Sequence, residues 1–134
     1  MRSFFVDTNI LLRIVNPSDP HHALARRALS TLRNARCPLQ IAAQNLVEAW
    51  NVMTRPQKQN GFGWTARDTA GVIENLEQAF ALLTSPPQVH EEWKRISRHF
   101  TVSGAQVHDA RLVAVMKVHG VRHILTFDAK DFRR

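Results

Sequence analysis

Apolar residues follow two rhythms along this chain. A short continuous run at residues 3–6 (SFFV) marks a strand buried on both faces, and residues 39–42 (LQIA) and 122–127 (RHILTF) read as further short strands. Between them the apolar positions recur every three to four residues, the period of a helix. Residues 8–15 read as a first helix, stopped by the dense turn signal Asn16-Pro17-Ser18-Asp19-Pro20. Residues 21–36 carry Ala25, Ala28, Leu29 and Leu32 at helical spacing, and Pro38 releases the second strand. Asn45 is the candidate cap of a third helix bearing Leu46, Ala49, Trp50 and Met53, with Trp50 on its core face.

After a loop at 57–64 (QKQNGFGW), Thr65 opens a long helix with Val72, Leu76, Ala79 and Leu83. Residues 82–84 are a brief strand candidate. Pro86-Pro87 starts another helix, with Trp93 and Ile96 on one face, and 107–119 forms the last helix, closed by Gly120. Short apolar strands alternating with helices predict an α/β domain with a mainly parallel sheet. No repeat, low-complexity segment or linker divides the 134 residues, so a single domain spans 1–134.

That topology changes the meaning of four acids. In a parallel sheet the carboxyl end of each strand and the amino end of the following helix share one rim, where ligands bind. Asp7 follows the first strand and Asp128 follows the last. Glu48 is expected in the first turn of the helix after the second strand, and Asp109 in the first turn of the helix that feeds the last. Singly, Asp7, Glu48 and Asp109 could complement helix amino ends and Asp128 could serve a turn. Gathered on one rim they pose a harder problem. Two carboxylates about 4 Å apart repel by about 4 kcal/mol at an effective dielectric near 20. Such a cluster needs a cation or shared protons, and oxygen donors of this kind suit Mg²⁺ or Mn²⁺.

Charge sharpens the contrast. The net charge is +7, and 14 of the 18 basic residues are arginine. Four rim acids leave seven acids against 18 bases elsewhere, a negative spot in a positive field. Arginine-rich surfaces suit polyanions, an acidic protein, or simple solubility. Arg13 and Arg111 are two candidates among the 14 arginines for steering a phosphate backbone near the rim. The single cysteine, Cys37, excludes an internal disulfide and a cysteine-rich zinc site, which fits a reducing cytoplasm. No signal peptide or membrane span is expected.

The strand end "VDTN" (6–9), the lone Glu48, "HDARLVA" (108–114) and "ILTFDAKDF" (124–132), in this order and spacing, resemble PIN-domain ribonucleases. Among these the chain is most similar to the VapC toxins of bacterial toxin–antitoxin pairs, from Phe4 to Phe132. The resemblance implies a three-layer α/β/α fold. It further implies that Asp7, Glu48, Asp109 and Asp128 hold one or two divalent metals, Mg²⁺ or Mn²⁺. Thr8 and Thr126 match hydroxyl positions that orient these carboxylates, and Asn9 matches a polar position beside the first acid. Asp131 falls outside the quartet and reads as structural. Relatives continue past "DF" into one more edge strand, whereas this sequence stops at Arg134, so that strand is expected to be missing.

The activity implied is metal-assisted hydrolysis of RNA phosphodiester bonds in the cytoplasm, with a small antitoxin as partner and a homodimer as assembly. The alternative is a PIN-fold module that binds RNA or protein without cutting. Two other α/β families place an aspartate after the first strand. A haloacid-dehalogenase-type phosphatase requires a second Asp where this chain has Asn9, and a receiver domain requires an acidic pair that is absent. His108 reads as a packing or surface residue, His21-His22 as solvated, and Phe62 and Trp64 as folding back on the core or meeting a partner.

Overall fold

In the computed structural model, which describes residues 2–132 apart from the side chains of Lys130 and Asp131, the rhythms of the sequence become three layers. The elements run β1 (Phe4–Val6), α1 (Thr8–Ile14), α2 (His22–Asn34), β2 (Leu39–Ala42), α3 (Ala43–Thr54), α4 (Ala66–Ala79), β3 (Ala81–Leu83), α5 (Pro87–His99), α6 (Gln106–Val118) and β4 (His123–Leu125). The four strands form one sheet in the order β3-β2-β1-β4, and every pairing is parallel. Among the described residues β3 and β4 are its edges, with no strand beyond β4. The side chain of Asp131 lies outside the described residues.

Alternation along the strands assigns the faces. Phe5 and Ala42 enter a core shared with Val89 and Ile96 of α5 and with Leu112, Ala114 and Val115 of α6. Val6, Leu39 and Ile41 enter the opposite core, built on Ile10 and Leu11 of α1, Ala25 and Leu29 of α2, and Leu76 of α4. Successive strand residues point to opposite faces, so β1, β2 and β4 feed both cores, while β3 sends only Leu83 to the first of them and leaves Leu82 exposed. That is why β1 carries an unbroken apolar run rather than an alternating one.

Three expectations need correction. The third helix begins at Ala43, directly after β2, so Asn45 is not its cap but its third residue. Its buried face is Asn45, Ala49 and Met53, spaced by four. Trp50 is turned about 100° away from Ala49 and is 37% exposed, beside Leu46, Ile73 and Leu82. Trp93 does pack on the α5–α6 core, and its Nε1 donates to the Val107 carbonyl at 3.0 Å. The brief third strand lies at 81–83, one residue earlier than expected.

The loop after α3 folds back on the chain. Gly61 N donates to Pro56 O, Phe62 N to Val52 O, Gly63 N to Arg55 O and Trp64 N to Met53 O, at 2.8–3.0 Å. Phe62 and Trp64 lie against each other, with ring centroids 5.0 Å apart. A Cβ on Gly61 would run into the Arg55 backbone, which the hydrogen bonds hold in place. Gly61→Ala is therefore expected to lower the melting temperature by several degrees, as about 1–3 kcal/mol of overpacking strain would. Thermal unfolding by circular dichroism checks this, with Gly71→Ala, where a Cβ meets open space, as the control.

Candidate active site

β1 and β4 lie side by side, with Val6 opposite Leu125, and Asp7 N continues the ladder by donating to the Leu125 carbonyl at 3.0 Å. The next residue on each strand is therefore delivered to the same point of the rim. Thr126 Oγ1 donates to Asp7 Oδ2 at 2.8 Å across that junction. Asp7 also caps α1, its Oδ1 accepting from Thr8 N at 2.8 Å. Cap and site residue are one and the same carboxylate.

From Asp7 the network spreads in two directions. Toward β4, Asn9 Nδ2 lies 3.3 Å from Asp7 Oδ2, 3.1 Å from Thr126 Oγ1 and 2.9 Å from Asp128 Oδ2. Asn9 Oδ1 accepts from Phe127 N at 3.3 Å, and Thr126 Oγ1 accepts from Asp128 N at 2.9 Å. The Asn9 amide thus bridges two carboxylates, and one turn of α1 is latched to the end of β4. Toward α3, Thr8 Oγ1 donates to Glu48 Oε1 at 2.7 Å and accepts from Asn45 Nδ2 at 3.1 Å. Asn45 Oδ1 accepts from Ala42 N at 2.8 Å, which meets an N–H at the start of the helix.

Glu48 lies in the second turn of α3 rather than the first, because the helix starts earlier than the sequence suggests. It reaches the rim all the same through Thr8. The sequence reading missed Asn45 and Gln44 as parts of this site. Gln44 Nε2 donates to Glu48 Oε2 at 3.1 Å and to the His108 carbonyl at 2.8 Å, linking α3 to the first turn of α6. The signal for Gln44 was present, since it precedes Glu48 by four residues on one helix face.

Asp109 occupies that first turn of α6, as expected. The residue lines a cavity of about 110 Å³ together with Ile96, Phe100 and Lys117. The structure thus joins Asp7, Glu48 and Asp128 in one network through Thr8, Asn9 and Thr126. Asp109 lies on the adjoining turn, beside the link between Gln44 and His108. His108 is exposed, while His22 is half-buried with Nδ1 2.8 Å from the Arg13 carbonyl.

Electrostatics set Asp7 apart. It is 7% exposed, and burial pushes its pKa above the ordinary aspartate value. The hydrogen bonds from Thr126 and Thr8 oppose that rise, while the charges of Glu48 and Asp128 add to it. Among the described residues no three acidic, imidazole or thiol groups close into a finished metal cage. The donors nevertheless suit a hard divalent cation in kind: carboxylate and hydroxyl oxygens around a buried carboxyl whose negative charge is under-compensated.

Solved structures share this architecture. VapC20 of Mycobacterium tuberculosis matches with a TM-score of 0.67 and 21% identity, covering 97% of this chain and 93% of that one. VapBC2 from Rickettsia felis matches with a TM-score of 0.72 and 12% identity, covering 98% and 91%. VapBC from Salmonella typhimurium matches with a TM-score of 0.71 and 17% identity, covering 100% and 92%. At these identities the likeness is one of fold. A search of curated proteins by sequence found no match. The family model for the PIN domain, however, matches residues 4–134, and the chain belongs to the PIN domain family.

Proposed function

We propose that this chain is a divalent-metal-dependent ribonuclease and the toxin of a toxin–antitoxin pair. The observation that carries this reading is the network at the ends of β1 and β4, where Asp7, Glu48 and Asp128 are held by Thr8, Asn9 and Thr126. The chain is basic, at +7 overall, which favours association with a polyanion. VapC20, which shares the fold, is a sarcin–ricin-loop-cleaving toxin, and the R. felis and S. typhimurium structures are VapBC assemblies bound to DNA. Both facts favour an RNA substrate and a small antitoxin partner here, and the homodimer is what the family resemblance implies.

Asp7, Glu48 and Asp128, with Asp109 from the adjoining turn, would hold one or two Mg²⁺ or Mn²⁺ ions. Bound there, such an ion lowers the pKa of water and stabilises the charge that builds on the phosphate. The chain's own residues prepare the ground. Thr126 and the Thr8 amide fix both oxygens of Asp7, so the carboxylate is oriented before any ligand arrives. Thr8 and Gln44 do the same for the two oxygens of Glu48. A carboxylate of this cluster takes the proton that the attacking water releases. A polar network locked on strand ends and helix starts needs little reorganisation during the reaction.

The antitoxin is expected to lay a helix in an apolar groove and to place a basic side chain at the acidic rim. Binding of Mn²⁺ tests the reading without an RNA target. At a hundredfold excess over Kd, Mn²⁺ is expected to stabilise the fold by about 2.7 kcal/mol, with a rise in melting temperature. Cleavage of a mixed RNA pool should depend on the same ion and stop with EDTA. If Mn²⁺ neither raises the melting temperature nor supports cleavage, the chain is better described as a binding module.

A further inference from the structure

Gln44 stands between two groups of opposite charge. Its Nε2 donates to Glu48 Oε2, and its Oε1 accepts from Nη1 of Arg111 at 3.1 Å. An amide can do both at once because its donor and acceptor arms are separate. The result is a guanidinium held one side chain away from the acid network without being neutralised by it. Among the described residues Arg111 forms no ion pair.

The other arginine near the rim is placed differently. Arg13 pairs with Asp19 at 3.5 Å and lies over the Phe127 ring, 4.4 Å from its centroid. Its charge is partly answered within the chain. Among the described residues Arg111 spends one of its five N–H donors on Gln44 and none on a carboxylate, so its charge faces an external group. Its arm is half-buried and already restrained by Gln44, so ordering it on a ligand costs less. A planar, charged fork of this kind matches the oxygens of a phosphate.

We infer that Arg111, positioned by Gln44, binds a backbone phosphate of the RNA strand beside the acid network and so fixes where the strand crosses the carboxylates. This inference rests on the ribonuclease reading. The competing role for Arg111 is internal, as a counter-charge to Glu48, in which case its loss changes metal binding and leaves RNA binding alone.

The test uses a fluorescein-labelled single-stranded RNA 12-mer, with binding read by anisotropy across a salt series. Protein carrying Asp7→Asn in EDTA keeps the RNA from being cut. Adding Arg111→Ala is expected to weaken binding about tenfold, the effect of losing one charge-assisted contact. The slope of log K against log salt should fall by about 0.7, the value for one phosphate on a single strand. Gln44→Ala should weaken binding about threefold with the slope retained, because the charge remains while its placement is lost. Arg67→Ala, an exposed arginine on α4, is the control. In the chain with Asp7 intact, Arg111→Ala should leave the Mn²⁺-induced rise in melting temperature unchanged. If Arg111→Ala matches the control in affinity and slope while Mn²⁺ still stabilises the wild type, the assignment of Arg111 is overturned and the nuclease reading stands. No RNA binding by the Asp7→Asn parent, with no Mn²⁺ response in the wild type, overturns both.

Discussion

Asp7→Asn is expected to abolish metal-supported RNA cleavage, by at least about 100-fold, because removing even an outer-shell partner of a metal ligand costs about 10–100-fold. The substitution keeps the shape of the side chain. An Asn oxygen still accepts from Thr8 N, so the cap on α1 survives, while the amide nitrogen that replaces Oδ2 requires the Thr126 hydroxyl and the Asn9 amide to turn away from it. Fold and charge are thereby separated. The variant should melt cooperatively and lose most of the Mn²⁺-induced stabilisation. Cleavage equal to wild type would show that the activity came from a contaminant and would remove Asp7 from the chemistry.

The same substitution isolates a pH effect. Burial, with Glu48 and Asp128 adding to it, raises the pKa of Asp7 above its unfolded value. The native state therefore binds the proton more tightly than the unfolded state. The stability this gives is fully present below the ordinary aspartate pKa and is lost as pH rises through the raised one. In metal-free protein, the stability of wild type relative to Asp7→Asn should fall across that window and level off above it. Saturating Mg²⁺ should cancel the fall, because the cation supplies the positive charge the buried carboxylate lacks. Cation affinity should weaken as pH drops through the raised pKa, since proton and metal compete for one carboxylate. Melting curves against pH, with and without Mg²⁺, measure both effects.

What the sequence made legible follows from how directly each feature is coded. The strands are visible because burial on both faces leaves no polar position in Phe5-Val6 or Ile41-Ala42. Parallel topology then carries Asp7 and Thr126, the residues that follow β1 and β4, to one rim without any side-chain geometry, and Asp128 comes two residues later with its N–H held by Thr126 Oγ1. Glu48 is a looser case. A one-turn error in its position on α3 did not remove it from the rim, because a long side chain and the Thr8 hydroxyl spanned the difference. Asp109 marks where such reasoning stops. Its turn of α6 follows from sequence, but the direction of its side chain depends on how α6 packs against α5, a tertiary choice. Trp50 was misplaced for a related reason, as helical period alone does not say which of two adjacent apolar residues faces the sheet. Asn45 was misread because asparagine favours caps and nothing in "LQIAAQN" announces that β2 runs into α3 with no loop between them.

Asn45→Ala tests that corrected role and is expected to be the most destabilising single change at the site. Asn45 is fully buried, and its two amide arms serve different elements: Oδ1 accepts from Ala42 N, and Nδ2 donates to Thr8 Oγ1. Alanine would leave a buried N–H and a buried hydroxyl acceptor short of a partner. Each unsatisfied group costs about 1–3 kcal/mol, so the loss is about 2–6 kcal/mol and the fall in melting temperature on the order of 10 °C. Much of a marginal native stability would go with it. Asn45→Asp separates the two arms. The carboxylate keeps the bond from Ala42 N, even strengthening it with charge, but it cannot donate to Thr8 and adds a buried negative charge beside Thr8 and Glu48. In metal-free protein at neutral pH Asn45→Asp should therefore also destabilise, and Mn²⁺ should recover part of the loss, which it cannot do for a purely structural break at Ala42. Melting Asn45→Ala and Asn45→Asp with and without Mn²⁺ decides the matter. Equal losses in both, unmoved by the metal, would confine Asn45 to holding the start of α3. A metal-recovered loss in the aspartate alone would place it in the layer that supports the acids.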